Sequence, residues 1–159
     1  MSSEQHPLPT KMALLLGTVF GTGHLPIAPG TWGSAAALLL VLPFSGPAFG
    51  YVTGAGILLV LVFGPALARV AMRVRRKSDP QDFVLDEACG VWIAAFRLER
   101  PDWTVLLLAF VLFRLFDMTK PWPINRIERL PRGWGVLHDD VAAGAVALLL
   151  GLLIEPYLT

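Results

Sequence analysis

Apolar residues in this chain gather into long runs separated by short polar or turn-forming segments. From Met12 to Ala68 there is no Lys, Arg, Asp or Glu. The clearest run is Ala48–Ala68, about 31 Å long as a helix at roughly 1.5 Å per residue, enough to cross a hydrocarbon core. Its Gly and Pro residues are tolerated in membrane helices. Thr31–Leu42 is apolar but short, and Pro43-Phe44-Ser45-Gly46-Pro47 sets a turn between the two. Ala88–Phe96 and Trp103–Phe113 flank the charged Arg97–Asp102, and Val141–Ile154 is a fifth run. Several are shorter than the ~20 residues of a perpendicular span. They dip partway, extend into flanking polar residues, or belong to a compact bundle. Met12–Phe20 reads as an interfacial or re-entrant piece. The pattern predicts an all-α membrane bundle of about five short or tilted apolar helices with a re-entrant Gly/Pro loop. A polar N-terminal tail, 1–11, would precede one domain, 12–159. No internal repeat or low-complexity segment interrupts it.

Composition sharpens this picture. Hydrophobic residues make up 55% and the mean hydropathy is +0.61, which excludes intrinsic disorder. Charged residues are 16%, against roughly 25% in an ordinary soluble domain. The net charge of +1 argues against a nucleic-acid binder driven by bulk positive charge. Cys89 is the single cysteine, so no intrachain disulfide or cysteine metal site is expected. The start, MSSEQHPLPTK, does not read as a secretory signal.

Charge placement gives an orientation. Arg69, Arg73, Arg75, Arg76 and Lys77 form one basic segment, and Lys120, Arg126, Arg129 and Arg132 form another. Basic connectors favour the cytoplasm. The mixed Arg97–Asp102 connector and the uncharged Pro43–Pro47 turn fit the outside, so the five runs alternate consistently. That topology brings Asp86, Glu87, Asp117, Asp139, Asp140 and the Gly21–Gly33 loop to one membrane face from distant parts of the chain.

Each motif has a structural reading beside a chemical one. Gly21–Ser34 is a Gly/Pro loop that opens a helix. Free N–H groups there attract anions and Thr31 and Ser34 add hydroxyls, or a Ser or Thr simply caps the helix. Asp86-Glu87 and Asp139-Asp140 each precede an apolar run, where acidic residues favour the helix dipole. Two such pairs on one face, however, call for a cation, and carboxylates without thiolates suit Mg²⁺ or Mn²⁺. Asp117 and Lys120 share a helical face if the helix persists, giving an interfacial ion pair or a ligand beside a phosphate-binding cation. Pro121 disfavours the helical conformation at Lys120, so the helix should end there. His24 and His138 are weaker candidates for acid–base work, and Cys89 reads as a small packing residue.

Four stretches, read together, resemble the phosphatidylglycerophosphatase A family. They are G-T-G-H-L-P-I-A-P-G-T-W-G-S at 21–34, D-P-Q-D-F-V-L-D-E-A-C-G at 79–90, F-R-L-F-D-M-T-K-P-W-P-I at 113–124 and G-V-L-H-D-D-V-A-A-G at 135–144. The resemblance runs from about residue 12 to 150. It implies a Mg²⁺-dependent, multi-pass protein of the bacterial inner membrane that removes the terminal phosphate of phosphatidylglycerophosphate, giving phosphatidylglycerol. Family positions map onto Pro29, Gly30, Thr31, Gly33 and Ser34; onto Asp86, Glu87 and Gly90; onto Arg114, Asp117, Lys120, Pro121 and Trp122; and onto Asp139, Asp140 and Gly144. Trp134 departs from the small residue often found at its place.

Roles for these residues follow from chemistry. Most of Asp86, Glu87, Asp117, Asp139 and Asp140 are expected to hold one or two Mg²⁺ ions, while one of them, Asp86 or Asp139, serves instead as base. Asp117 and Lys120 complete the catalytic group. Gly30, Thr31, Gly33, Ser34, Arg114 and Lys120 are expected to bind the substrate, which arrives with the membrane lipid. Water is one nucleophile and an aspartate is the other. The competing class is a non-catalytic small membrane protein, a channel or assembly factor, whose acids cap helices. A channel would place acids in mid-span rather than at helix ends.

Overall fold

The computed structural model describes residues 8–97, 101–122, 124 and 134–158. Among them are six α-helices and no strand: α1 (Leu8–Gly17), α2 (Pro29–Val41), α3 (Pro47–Arg75), α4 (Leu85–Ala95), α5 (Trp103–Thr119) and α6 (Trp134–Ile154). Short 3-10 turns lie at Thr22–His24 and Glu155–Tyr157. The expected helical bundle is therefore present, and each of the five apolar runs falls on one of helices α2 to α6, two of them running one residue past the helix end.

Boundaries differ from the apolar runs in informative ways. α2 starts at Pro29, with the fixed φ of proline suited to a first helical position and Ala28 in the left-handed region before it. No Ser or Thr side chain caps it. α3 continues past Ala68 through Arg69 and Arg73 to Arg75, 29 residues or about 43 Å. Its last turn is basic, which complements the carbonyl end of the helix. α6 starts at Trp134 rather than near Val141, so Asp139 and Asp140 lie inside the helix instead of ahead of it. α1 starts at Leu8, within the stretch read as a polar tail.

Two helices are long and apolar enough to cross a membrane, Pro47–Arg75 and Leu137–Tyr157. Most of α3 is not covered by the rest of the protein. Leu58, Leu59, Val62 and Phe63 are all exposed along it. An exposed apolar stripe of that length has no stable place in water.

α4 is the shortest of these five helices and lies at the centre, packed against α2, α3, α5 and α6. Five of its seven buried positions are small: Ala88, Cys89, Gly90, Ala94 and Ala95. Small residues let neighbouring backbones approach closely. A Cβ on Gly144 of α6 would overlap the Gly90 carbonyl oxygen, and one on Gly90 would meet the Phe113 ring of α5. Trp92 ties α4 to α2 through an indole N–H donated to the Ala37 carbonyl at 2.8 Å. The chain alternates direction from α2 to α6. The starts of α2, α4 and α6 and the ends of α3 and α5 therefore share one end of the bundle. At the opposite end Arg97 pairs with Glu155 at 2.9 Å, and Asp102 caps α5 by accepting from the Val105 N–H at 3.0 Å.

Candidate active site

The shared end of the bundle is acidic and buried. Asp86 and Glu87 occupy the first turn of α4, Asp117 the last turn of α5, and Asp139 and Asp140 the second turn of α6. Asp86, Asp139 and Asp140 are each exposed by 5% or less. One oxygen each from Asp86, Glu87 and Asp140 lies within 4.8 Å of the others, close enough to share a metal ion. Asp117 lies within electrostatic reach of Glu87, Asp139 and Asp140.

Two cations stand beside these acids. Arg114 Nη1 donates to Asp117 Oδ2 at 2.7 Å, one helical turn apart. Lys120 Nζ donates to Asp139 Oδ2 at 2.7 Å, linking the end of α5 to α6. The spacing argument paired Asp117 with Lys120, assuming that the helix persisted. Lys120 is instead the residue after the helix, with φ 40° and ψ 57°, and this left-handed conformation redirects its side chain towards Asp139. Pro121 does end α5 at this point.

Burial raises the Asp86 carboxyl well above the ordinary carboxylate range, with the Glu87 charge the next cause and Asp140 contributing. Glu87 is raised as well, first by burial, while a hydrogen bond from Asp86 opposes the rise. Both precede the apolar part of α4. Glu87 Oε2 and Asp139 Oδ1 are buried and have no hydrogen-bond partner among the described residues. Buried anionic oxygens without donors are costly, and a cation removes that cost. The donors are carboxylate oxygens only, a set that fits a hard divalent ion.

The Gly/Pro loop meets this cluster at one point. A Cβ on Gly30 would overlap Glu87 Oε1 and lie 3.2 Å from Arg114 Nη1, so glycine leaves the room that Glu87 and Arg114 occupy. Gly33, one turn later, is packed on Val84, where a Cβ would come within 2.7 Å. Ser34 is fully buried and donates to the Gly30 carbonyl at 2.7 Å. Thr31 is half-buried, with its backbone N–H bonded to the Ala28 carbonyl at 3.0 Å. The structure thus brings Asp86, Glu87, Arg114, Asp117, Lys120, Asp139, Asp140 and Gly30 together, while Gly33 and Ser34 shape the turn behind them. Arg126, Arg129, Arg132 and the Trp134 side chain lie outside the described residues.

Sequence reasoning missed a neighbouring polar group. Asp82 accepts from Arg75 Nε at 2.8 Å and lies 3.6 Å from His24 Nδ1. Arg75 ends α3 and His24 sits in the 3-10 turn, so no local spacing connects the three.

The geometry is that of a helical bundle with an exposed apolar helix and with buried carboxylates and two cations gathered at one end. The comparisons are specific. The chain matches the family Phosphatidylglycerophosphatase A over residues 15–155 and belongs to it. It is 34% identical to phosphatidylglycerophosphatase A of Haemophilus influenzae, covering 96% of this chain and 97% of that one. It is also 34% identical to phosphatidylglycerophosphatase A of Escherichia coli, covering 84% and 77%. A Bacteroides thetaiotaomicron protein named for phosphatidylinositol-3-phosphatase activity is 35% identical, covering 89% and 92%. No solved structure matches. The protein is accordingly a membrane protein and a phosphoric monoester hydrolase.

Proposed function

We propose that the protein hydrolyses phosphatidylglycerophosphate to phosphatidylglycerol and phosphate, with Mg²⁺, at the cytoplasmic face of a bacterial inner membrane that it crosses several times. The observation behind this reading is the gathering of five carboxylates, Arg114 and Lys120 at one end of a bundle whose long helix α3 is apolar and exposed. The names of two relatives supply the substrate.

Hydrolysis of a phosphate monoester demands charge stabilisation on the phosphoryl oxygens and an in-line nucleophile. Asp86, Glu87 and Asp140 would hold Mg²⁺, with Asp117 and Asp139 at its margin. When bound, the ion would neutralise phosphoryl oxygens and acidify a water. Lys120 and Arg114 approach from the α5 side and bind the phosphate, Lys120 as a point charge and Arg114 as a planar donor. Arg114 Nε is buried and has no partner among the described residues, leaving a donor for an incoming anion. Gly30 and Thr31 lie at the α2 start, where the positive end of the helix dipole favours an anion, although the Thr31 N–H is already bonded to the Ala28 carbonyl. Ser34 contributes through the Gly30 carbonyl that it holds.

Water attacks phosphorus opposite the lipid oxygen, and Asp139, at the margin of the three ligands, accepts its proton. The P–O bond to the headgroup breaks, and the departing oxygen takes up a proton to become the free hydroxyl. Attack by an aspartate would give an acyl phosphate that water then cleaves. Trapping a phosphorylated aspartate distinguishes the two.

The Bacteroides relative supports a second substrate, a phosphoinositide monoester. Purified protein assayed on phosphatidylglycerophosphate, phosphatidylinositol 3-phosphate and phosphatidic acid in one micelle system tests the reading. Preferred phosphate release from the first is expected. Preference for the second transfers the same site to phosphoinositides, and release from none contradicts a phosphatase role.

A further inference from the structure

An apolar groove of about 530 Å³ runs between α1, α2, α3 and α4. Phe20, Leu40, Leu59 and Phe63 form exposed parts of its wall. Its inner wall is one face of α4, formed by Leu85, Ala88 and Trp92. No charged side chain lines it, and the one polar group among its lining side chains, the Trp92 indole N–H, is bonded to Ala37.

Position separates this groove from ordinary lipid-facing surface. Leu85 and Ala88 bracket Asp86 and Glu87 in a single helical turn, so the groove and the carboxylate cluster occupy adjacent faces of one element. From Leu85 it follows α4 towards Trp92, a rise of about 10 Å away from the acidic end. At the end of α1 the wall is made by Val19 and Phe20, with φ of 45° and 57°. Positive φ is rare for non-glycine residues, and rarer still for a β-branched one. Two consecutive residues in this region persist only because the surrounding packing fixes this wall.

We infer that the groove seats one acyl chain of the phospholipid whose phosphate enters the carboxylate cluster. This rests on the phosphatase reading and adds the element that positions its substrate. A lipid chain leaving the bilayer for the groove gains little from apolar transfer, because both surroundings are apolar. Its contribution is orientation: a seated chain fixes the depth and direction of the headgroup, and small displacements at the reacting atom are costly in rate.

The test compares two substrates and two variants. Leu59→Trp fills the groove, while Leu58→Trp adds the same bulk on an exposed face of α3 outside it. Dipalmitoyl phosphatidylglycerophosphate is assayed beside its deacylated, water-soluble headgroup. Leu59→Trp is expected to lower kcat/KM for the diacyl substrate about tenfold. It should leave the deacylated one at the wild-type value, and Leu58→Trp should change neither. Equal losses in both variants, or equal losses on both substrates, overturn the groove assignment. Wild-type protein inactive on both substrates would contradict the phosphatase reading instead. The groove is then decided by photo-cross-linking with a phosphatidylglycerophosphate that carries a diazirine on its acyl chain. Adducts centred on Leu59 and Phe63 support the seat. Adducts spread evenly along α3, or cross-links between two protein copies there, overturn it.

Discussion

Lys120 shows how much one backbone angle contributes to this site. With φ at 40° it leaves α5 in the left-handed region, and Pro121 fixes the exit. The side chain thereby reaches Asp139 on another helix. Lys120→Ala should lower kcat/KM about 100-fold without unfolding the protein, checked by phosphate release and thermal melting together. Lys120→Arg should recover little, because a planar fork does not replace a compact ammonium at that spot. Gly30 makes a comparable demand from the opposite side. Gly30→Ala places a methyl where Glu87 Oε1 lies, and should weaken metal dependence and activity together, by about tenfold or more. A metal titration of activity reads that change. The carboxylates themselves were legible in the sequence as two acidic pairs and Asp117. Their partners were not: Arg114 holds Asp117 and Lys120 holds Asp139, and the second pairing depends on a left-handed residue that spacing alone does not reveal.

At the scale of elements, α4 organises the site. Its small residues let α6 approach until Gly144 touches the Gly90 backbone, which brings Asp140 beside Asp86. Gly144→Val should therefore separate the two helices, abolish activity and lower Tm. The far end of the bundle gives the contrasting case. Arg97→Gln breaks the pair with Glu155, where the Arg97 side chain is only 12% exposed. It should lower Tm by roughly 3–8 °C and leave kcat unchanged, because the pair lies at the end away from the carboxylates. The apolar runs identified helices α2 to α6 but not their ends. α6 starts seven residues before its apolar run, so two aspartates thought to precede a helix are embedded in one. Hydropathy marks where a helix meets lipid or core, whereas its polar extension depends on partners from other helices.

For the molecule as a whole, charge and hydropathy agree on a membrane protein. The exposed apolar surface of α3 needs lipid, and the basic end of α3 lies at the same end of the bundle as the carboxylates. A cysteine at Ser78, just beyond that basic end, should resist an impermeant thiol reagent in intact cells and react after the membrane is opened. Buried Cys89 adds no background. Ready labelling in intact cells would reverse the orientation. Fold class and the convergence of the acids on one face were readable because alternating spans force distant helix ends together. The groove beside α4 was not, since it depends on how α1 to α4 pack in space.

The central claim is that the carboxylates act through a divalent ion on a lipid phosphate. Phosphate release from phosphatidylglycerophosphate, measured on purified protein in EDTA and then with Mg²⁺ restored, tests it most directly when Asp86→Asn is run alongside. The account predicts activity abolished by EDTA and recovered with Mg²⁺ in the wild type. In Asp86→Asn it predicts a rate at least about 100-fold lower at any Mg²⁺ concentration. Full wild-type activity in EDTA, or an Asp86→Asn variant as active as the wild type, would contradict it.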